Sequence, residues 1–227
     1  MKTYTHNSII LPDINSVTSA DGTRIYQTPD GKAYPSVTTV LSAHTKPGIM
    51  QWRKRVGEEE ANKISRQASS RGTRFHTLTE NYLKNEPFSE HDITQLVPVS
   101  LMDKELFESA KTELHKIDNI RAQESGLYSP HLRLAGRVDC IAEYNGKLSI
   151  IDFKTARREK DEEHIQHYFM QAAAYAVMFE ERTQIPVNRL TIIIAVEDGF
   201  MQVFQEKRDN FITPLLYYRD LYERNKL

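Results

Sequence analysis

The sequence predicts an α+β fold, and three features carry that expectation. The first half is dominated by amphipathic and charged helical patterns. Near residue 119 the texture switches to short apolar runs bounded by turn residues. One long Ala-rich helical stretch then separates two sets of such runs. The resulting order is a mostly helical part over 1–118 and a βββ-α-ββ-α part over 119–227. With 227 residues, 39% hydrophobic and 27% charged, the chain suits one soluble domain, taken as 1–227.

The elements follow in order. "TRIYQTPDGKAYPSV" reads as a hairpin around Asp30-Gly31 that Pro35 closes. "SVTTVLSAH" starts a short helix with Ser36 or Thr38 as its cap, and Pro47-Gly48 is expected to break it. "IMQWRKRVGEEEANKI" is a charged helix and "SSRGTRFHTLTENYLK" a second, in which Phe75, Leu78 and Tyr82 make an apolar face. "NEPFSEHDITQLVP" reads as a loop with a helical turn or two, and "SLMDKELFESAKTELHKI" as an amphipathic helix. "IRAQESGLYS", "LRLAGRVDCIA" and "KLSIIDFKT" are three strands, followed by the helix "DEEHIQHYFMQAAAYAVMFEERT". "LTIIIAVED" and "FMQVFQE" pair through Asp198-Gly199, and "NFITPLLYYRDLYERNK" ends the chain as a helix.

Composition excludes several classes. A net charge of −1 provides no global field for a polyanion, so any nucleic-acid site must be a local patch. The single cysteine, Cys140, lies in an apolar run and reads as core. One cysteine excludes a disulfide framework, a cysteine zinc site and a four-cysteine iron–sulfur cluster within the chain. No stretch approaches the roughly 18 apolar residues of a membrane span, and the N-terminus has neither signal-peptide nor transit-peptide pattern. A cytoplasmic, non-secreted protein is expected, with no membrane partner.

The chemistry concentrates in "GRVDCIAEYNGKLSIIDFKT". Asn145-Gly146 between two apolar runs signals a two-residue type I′ hairpin, in which Tyr144 faces Lys147. Counting back from the turn puts Asp139 opposite Asp152 and Arg137 opposite Lys154. Alternation places Asp139, Asp152 and Lys154 on one face and Phe153 on the other. Facing carboxylates repel, and burial among apolar residues adds to the cost. A divalent cation such as Mg²⁺ relieves that repulsion with oxygen ligands, and the Phe153 carbonyl is available as a third. Lys154 would orient or deprotonate the attacking water, or stabilise charge growing on a phosphate.

These residues resemble the PD-(D/E)XK nuclease superfamily in its RecB-like branch: a carboxylate on one strand in "GRVD", and D-x-K on its partner in "IIDFKT". The name-giving proline is Val138 here. The branch also carries Gln and Tyr one helical turn apart, matched by Gln171 and Tyr175 in "QAAAY", and G-x-x-x-H, matched by Gly72 and His76. "YPSVTTVL", the single "QW" and "GTRFH" are most similar to the group of mitochondrial genome maintenance exonucleases and their bacteriophage relatives, which act on single-stranded DNA with free ends. The resemblance implies a PD-(D/E)XK (restriction-endonuclease-like) core: a mixed central sheet flanked by helices, with a helical N-terminal elaboration. It implies a DNA exonuclease using Mg²⁺, with Mn²⁺ as a substitute; the single cysteine excludes relatives with an iron–sulfur cluster, and the missing transit peptide and small size lead us to expect a bacterial or phage-infected cell. Asp139, Asp152, Phe153 and His76 would hold metal; Lys154, Gln171 and Tyr175 would complete the catalytic set. A duplex exonuclease, a flap or structure-specific endonuclease, and a catalytically silent DNA-binding module stand as alternatives.

Two further readings concern the surroundings. Glu124 in "AQESG" could reach a metal through water or be a plain strand acid, and His164 and His167 lack a third zinc ligand. Residues 46–76 hold eight basic side chains against three acidic ones. Among them Arg53, Lys54, Arg55, Arg66, Arg71 and Arg74, with Trp52, suit a single strand whose backbone needs cations and whose bases stack.

Overall fold

The computed structural model describes residues 2–43, 45–86 and 100–225. A small antiparallel sheet comes first: β1 (Asn15–Thr18), β2 (Arg24–Gln27) and β3 (Ala33–Pro35). The hairpin around Asp30-Gly31 forms as the sequence indicates, and β1 adds a strand that the sequence reading did not contain. Its four residues are all exposed, so no apolar alternation announced it.

Helix α1 (Val37–Ala43) follows, with the Ser36 hydroxyl accepting the Thr39 N–H at 2.9 Å. Next come α2 (Lys46–Val56) and α3 (Glu58–Leu83). Here the structure corrects two expected boundaries. Pro47 and Gly48 lie inside the first turn of α2, where a missing proline N–H costs nothing. The chain breaks instead at Gly57, whose φ of 89° is the left-handed geometry that favours glycine, and α3 then runs on as one helix through His76. The expected loop over "NEPFSEHDITQLVP" falls almost wholly outside the described residues. Helix α4 (Leu101–Leu114) begins on a reciprocal cap between Ser100 and Asp103.

The main sheet has the order β4-β5-β6-β7-β8. Its strands are β4 (Ile117–Ser129), β5 (Leu134–Tyr144), β6 (Lys147–Ala156), β7 (Arg189–Val196) and β8 (Met201–Lys207). All neighbours are antiparallel except β6 and β7, which are parallel. A parallel pair needs a long crossover, which α5 (Gln166–Thr183) supplies. Strands β6 and β7 are covered on both faces, which explains their near-continuous apolar runs.

One face of the sheet carries α3 and α4, with Phe75, Leu78 and Phe107 against Cys140, Ile151 and Phe153. The other carries α1, α5 and α6 (Asp209–Arg224), with Val40, Phe169 and Phe179 against Ile150, Ile192 and Ile194. Each fully buried Phe or Leu in these layers contributes roughly 1.5–3 kcal/mol. Cys140 is fully buried, and burial pushes its thiol well above the ordinary range, consistent with a core role. The small sheet packs through Tyr26 and Tyr34 against Tyr128 and Ala135 of β4 and β5. The architecture is thus a mixed sheet flanked by helices.

Candidate active site

The site begins at the β5–β6 turn. Asn145 and Gly146 have φ of 50° and 71°, both left-handed as a type I′ turn demands. Pairing then runs without interruption from Tyr144↔Lys147 to Cys140↔Ile151, so the next facing pair is Asp139 with Asp152. There the hairpin opens. An unbroken ladder would give the Phe153 N–H to Val138; instead it donates to Asp139 Oδ2 at 2.8 Å. In an extended strand one residue's N–H and C=O point the same way, so the Phe153 carbonyl faces the same gap.

Strand β4 adds an acid to this row. Pairs Gln123↔Cys140 and Ser125↔Val138 place Glu124 opposite Asp139. Glu124 has φ 42°, a strained value for a non-glycine residue, and Arg137 Nη1 holds its carbonyl at 2.9 Å. Glu124, Asp139 and Asp152 therefore line up across three adjacent strands. Only Asp139 and Asp152 are tied by the hairpin turn; Glu124 was legible in the sequence as a strand acid, and its register was not.

His76 arrives from α3, whose buried Phe75, Leu78 and Leu83 fix the helix against the sheet. Its Nδ1 lies 3.8 Å from Glu124 Oε1 and 3.8 Å from Asp139 Oδ2. Ligand atoms of His76, Glu124 and Asp139 all fall within 4.8 Å of one another. Burial pulls the His76 pKa down, but the nearby Glu124 carboxylate and the Asp139 charge more than offset it and hold it above its ordinary value. Gly72 sits over β6, where an added Cβ would meet Thr155 Oγ1 at an ordinary 3.9 Å.

Asp152 is 1% exposed, and Lys154 Nζ approaches its Oδ2 to 2.5 Å. That contact is a buried ion pair, and Asp152 Oδ1 has no hydrogen-bond partner among the described residues. Burial pushes the Asp152 carboxyl up, to about 6, against the pull of Lys154. Lys154 is raised as well: burial opposes its charge, but Asp152 and Asp139 outweigh burial. The Lys154 ammonium also lies 5.1 Å from the centre of the Tyr168 ring.

The buried Asp152 carboxylate beside Lys154, the convergent Asp139–Glu124–His76 trio and the Phe153 carbonyl at the opened hairpin fit a divalent cation that takes oxygen and imidazole ligands. Asp152 stands outside the closest trio, on the Lys154 side. His164 and His167 belong to no such group among the described residues.

Gln171 and Tyr175 lie on buried turns of α5, with Gln171 Nε2 3.5 Å from the Tyr175 hydroxyl. Burial, then the acids opposite, drive the Tyr175 pKa well above its ordinary value. Both residues line one cleft of about 510 Å³ with His76, Glu124, Asp139 and Lys154. That cleft also contains Arg24, Thr38 and Arg137, none of which the sequence reading named as a site residue. A larger hollow of about 880 Å³ lies at the opposite ends of β6 and β7, around Lys147 and Arg189, and holds none of the site residues.

The expected basic patch divides. Arg53 pairs with Glu58, Arg71 with Glu197, and Arg74 with Asp103 at 2.7 Å. These three arginines anchor α3 and its neighbours. Lys54, Arg55 and Arg66 are exposed, and Arg66 helps line a second cleft along another face of α3 with Lys63 and Arg157. Trp52 is half-buried on α2.

A mixed sheet whose central hairpin brings Asp139 and Lys154 to one cleft with a helical His76, and buries Asp152 against Lys154, has the architecture of a nuclease core. The sequence comparisons agree. A profile of the PD-(D/E)XK nuclease superfamily matches residues 50–213, and the chain belongs to that superfamily. Its members depend on divalent metal. The mitochondrial genome maintenance exonuclease 1 of Homo sapiens is 32% identical over 179 residues, and that of Xenopus tropicalis 30% identical over 186. Each match covers 73% of this chain and about half of the relative, 50% and 49%. A candidate exonuclease from Eubacterium rectale superposes with a TM-score of 0.46 at 12% identity, covering 70% of this chain and 65% of that one.

Proposed function

We propose that the chain is a Mg²⁺-dependent DNA exonuclease that hydrolyses phosphodiester bonds, acting on single-stranded DNA with free ends. The carrying observation is the row Glu124–Asp139–Asp152, whose first two acids line one cleft with His76 and Lys154 while Asp152 ion-pairs with Lys154. Similarity to exonucleases supports the end requirement. Asp139, Asp152, His76 and the Phe153 carbonyl are the metal-holding set, with Glu124 added by its register. When bound, the cation supplies Lewis-acid polarisation of the phosphoryl oxygens. Lys154 remains an ammonium in the metal-free protein because Asp152 and Asp139 hold its proton. Its role is therefore to orient the attacking water and stabilise charge building on the phosphoryl group. Gln171 and Tyr175 form the polar wall that places the scissile phosphate. The packing of the small sheet on β4 and β5 supports reading 1–227 as one nuclease domain. We infer a bacterial or phage-infected cytoplasm as its place of work.

The test uses purified protein with Mg²⁺ or Mn²⁺ and end-labelled substrates. Linear single strands are expected to be degraded, while circular single strands and duplexes resist. Lys154→Ala is expected to lower turnover by about 10²–10⁴-fold and keep DNA binding. Linear single strands left intact by the parent protein would overturn the proposal.

A further inference from the structure

We propose that Arg24 and Arg137 form a backbone clamp that binds a phosphate of the substrate strand beside the scissile one, making the small N-terminal sheet part of the substrate site. The inference rests on the nuclease reading above and extends it to residues 15–36. Arg24 and Thr38 lie outside the matched span 50–213.

Geometry brings the two arginines together from different sheets. Arg24 is on β2 and Arg137 on β5, yet both line the cleft that contains His76, Asp139 and Lys154. Both are exposed, and neither makes an ion pair among the described residues. This separates them from Arg53, Arg71 and Arg74, whose charges are already matched by acids.

Their backbones are held firmly. The Arg24 carbonyl accepts the Ser36 N–H at 2.8 Å, and its own N–H donates to Thr39 Oγ1 at 3.1 Å. Ser36 in turn pairs with Ala135 of β5, which locks β2 and the start of α1 to the strand bearing Arg137. Among the described residues, the Arg24 side chain hydrogen-bonds only to a neutral group, Thr18 Oγ1 at 3.3 Å, and the Arg137 side chain only to the Glu124 carbonyl at 2.9 Å. Each guanidinium therefore keeps donors for a second acceptor. A planar fork of donors suits phosphate oxygens, and the exposed Thr38 in the same cleft adds a hydroxyl.

Electrostatics selects the ligand class. Three acids, Glu80, Glu124 and Asp139, line the cleft, so a polyanion needs cations on the approach besides those at the reaction centre. Two arginines that no acid neutralises supply them, and because they address phosphate rather than base edges, the clamp is indifferent to sequence.

The experiment measures binding of a fluorescently labelled single-stranded oligonucleotide by anisotropy in metal-free buffer, over a series of salt concentrations. The parent is compared with Arg24→Ala, Arg137→Ala, the double variant and Arg24→Glu, each checked for an unchanged melting temperature. Each alanine variant is expected to weaken binding about tenfold and to reduce the log–log salt slope by about 0.7, with Arg24→Glu weaker still. Cleavage of the parent is measured in parallel with Mg²⁺. Unchanged affinity and slope in the double variant, with the parent cleaving DNA, would overturn the clamp and leave the nuclease reading standing. Reduced slopes with a parent that cleaves nothing would support the clamp and overturn the nuclease reading. Lost affinity at an unchanged slope would show packing rather than phosphate contact and overturn the clamp.

Discussion

Gly136, in the "GRVD" element, is expected to accept a side chain only at a cost in stability, because of Tyr175. A Cβ added at Gly136 would stand 2.7 Å from both Cε1 and the hydroxyl oxygen of Tyr175, and 3.2 Å from its Cζ. Carbon atoms pack best at about 3.5–4.0 Å, so the overlap is about 1 Å. The ring has no easy retreat: Tyr175 is 3% exposed and lies in a run of α5, 171–176, that is buried throughout. Such overpacking costs about 1–3 kcal/mol, and at this chain length each kcal/mol lowers the melting temperature by about 2–4 °C. Gly136→Ala is therefore expected to melt roughly 2–12 °C below the parent. In a Tyr175→Ala background the same change should cost less than about 0.5 kcal/mol, because the obstructing atoms are gone. Urea denaturation of the four proteins gives the coupling directly. A Gly136→Ala cost below about 0.5 kcal/mol in the parent, or strictly additive costs, would refute the reasoning.

Other outcomes follow from the charges. Asp152 is pushed up to about 6 and His76 is held above its ordinary value, so the folded metal-free protein binds both protons more tightly than the unfolded chain. Their stabilising contribution is complete below the unfolded values of about 3.9 for Asp and about 6.5 for His, and is lost as pH rises through the folded values. A cation must displace these protons, so Mg²⁺ is expected to raise the melting temperature more at about pH 8 than at about pH 5.5. An equal or larger shift at the acid pH would contradict the ligand assignment. Among the described residues, Arg74→Ala leaves Asp103, 5% exposed, with only its Ser100 bonds at 2.9 and 2.6 Å. The expected loss is about 1–3 kcal/mol by urea denaturation, with an unchanged salt slope for DNA binding. A slope reduced by about 0.7 would show that Arg74 contacts phosphate instead.

The sequence by itself determined whatever depends on short separations along the chain. Two left-handed residues, Asn145 and Gly146, admit one tight turn, and a period of two then sets Asp139 against Asp152 and Lys154 beside it. Helical periodicity likewise put Gln171 and Tyr175 on one face. Even locally there were limits: Gly57 ended α2 where the Pro47-Gly48 pair had looked the stronger signal, because proline in a first helical turn breaks nothing.

Only the tertiary structure decided which distant groups meet. The register of β4 carried Glu124 opposite Asp139, and the packing of α3 delivered His76 to both. Tertiary contacts also divided the basic residues. Arg71 and Arg74 found Glu197 and Asp103, whereas Arg24 and Arg137 found no acid among the described residues and lie in the cleft. The reason is physical. Dihedral preferences and side-chain periodicity act between near neighbours in the chain. The neighbour of a strand and the partner of a charge are set by burial summed over whole faces of the sheet, which no short stretch of sequence contains.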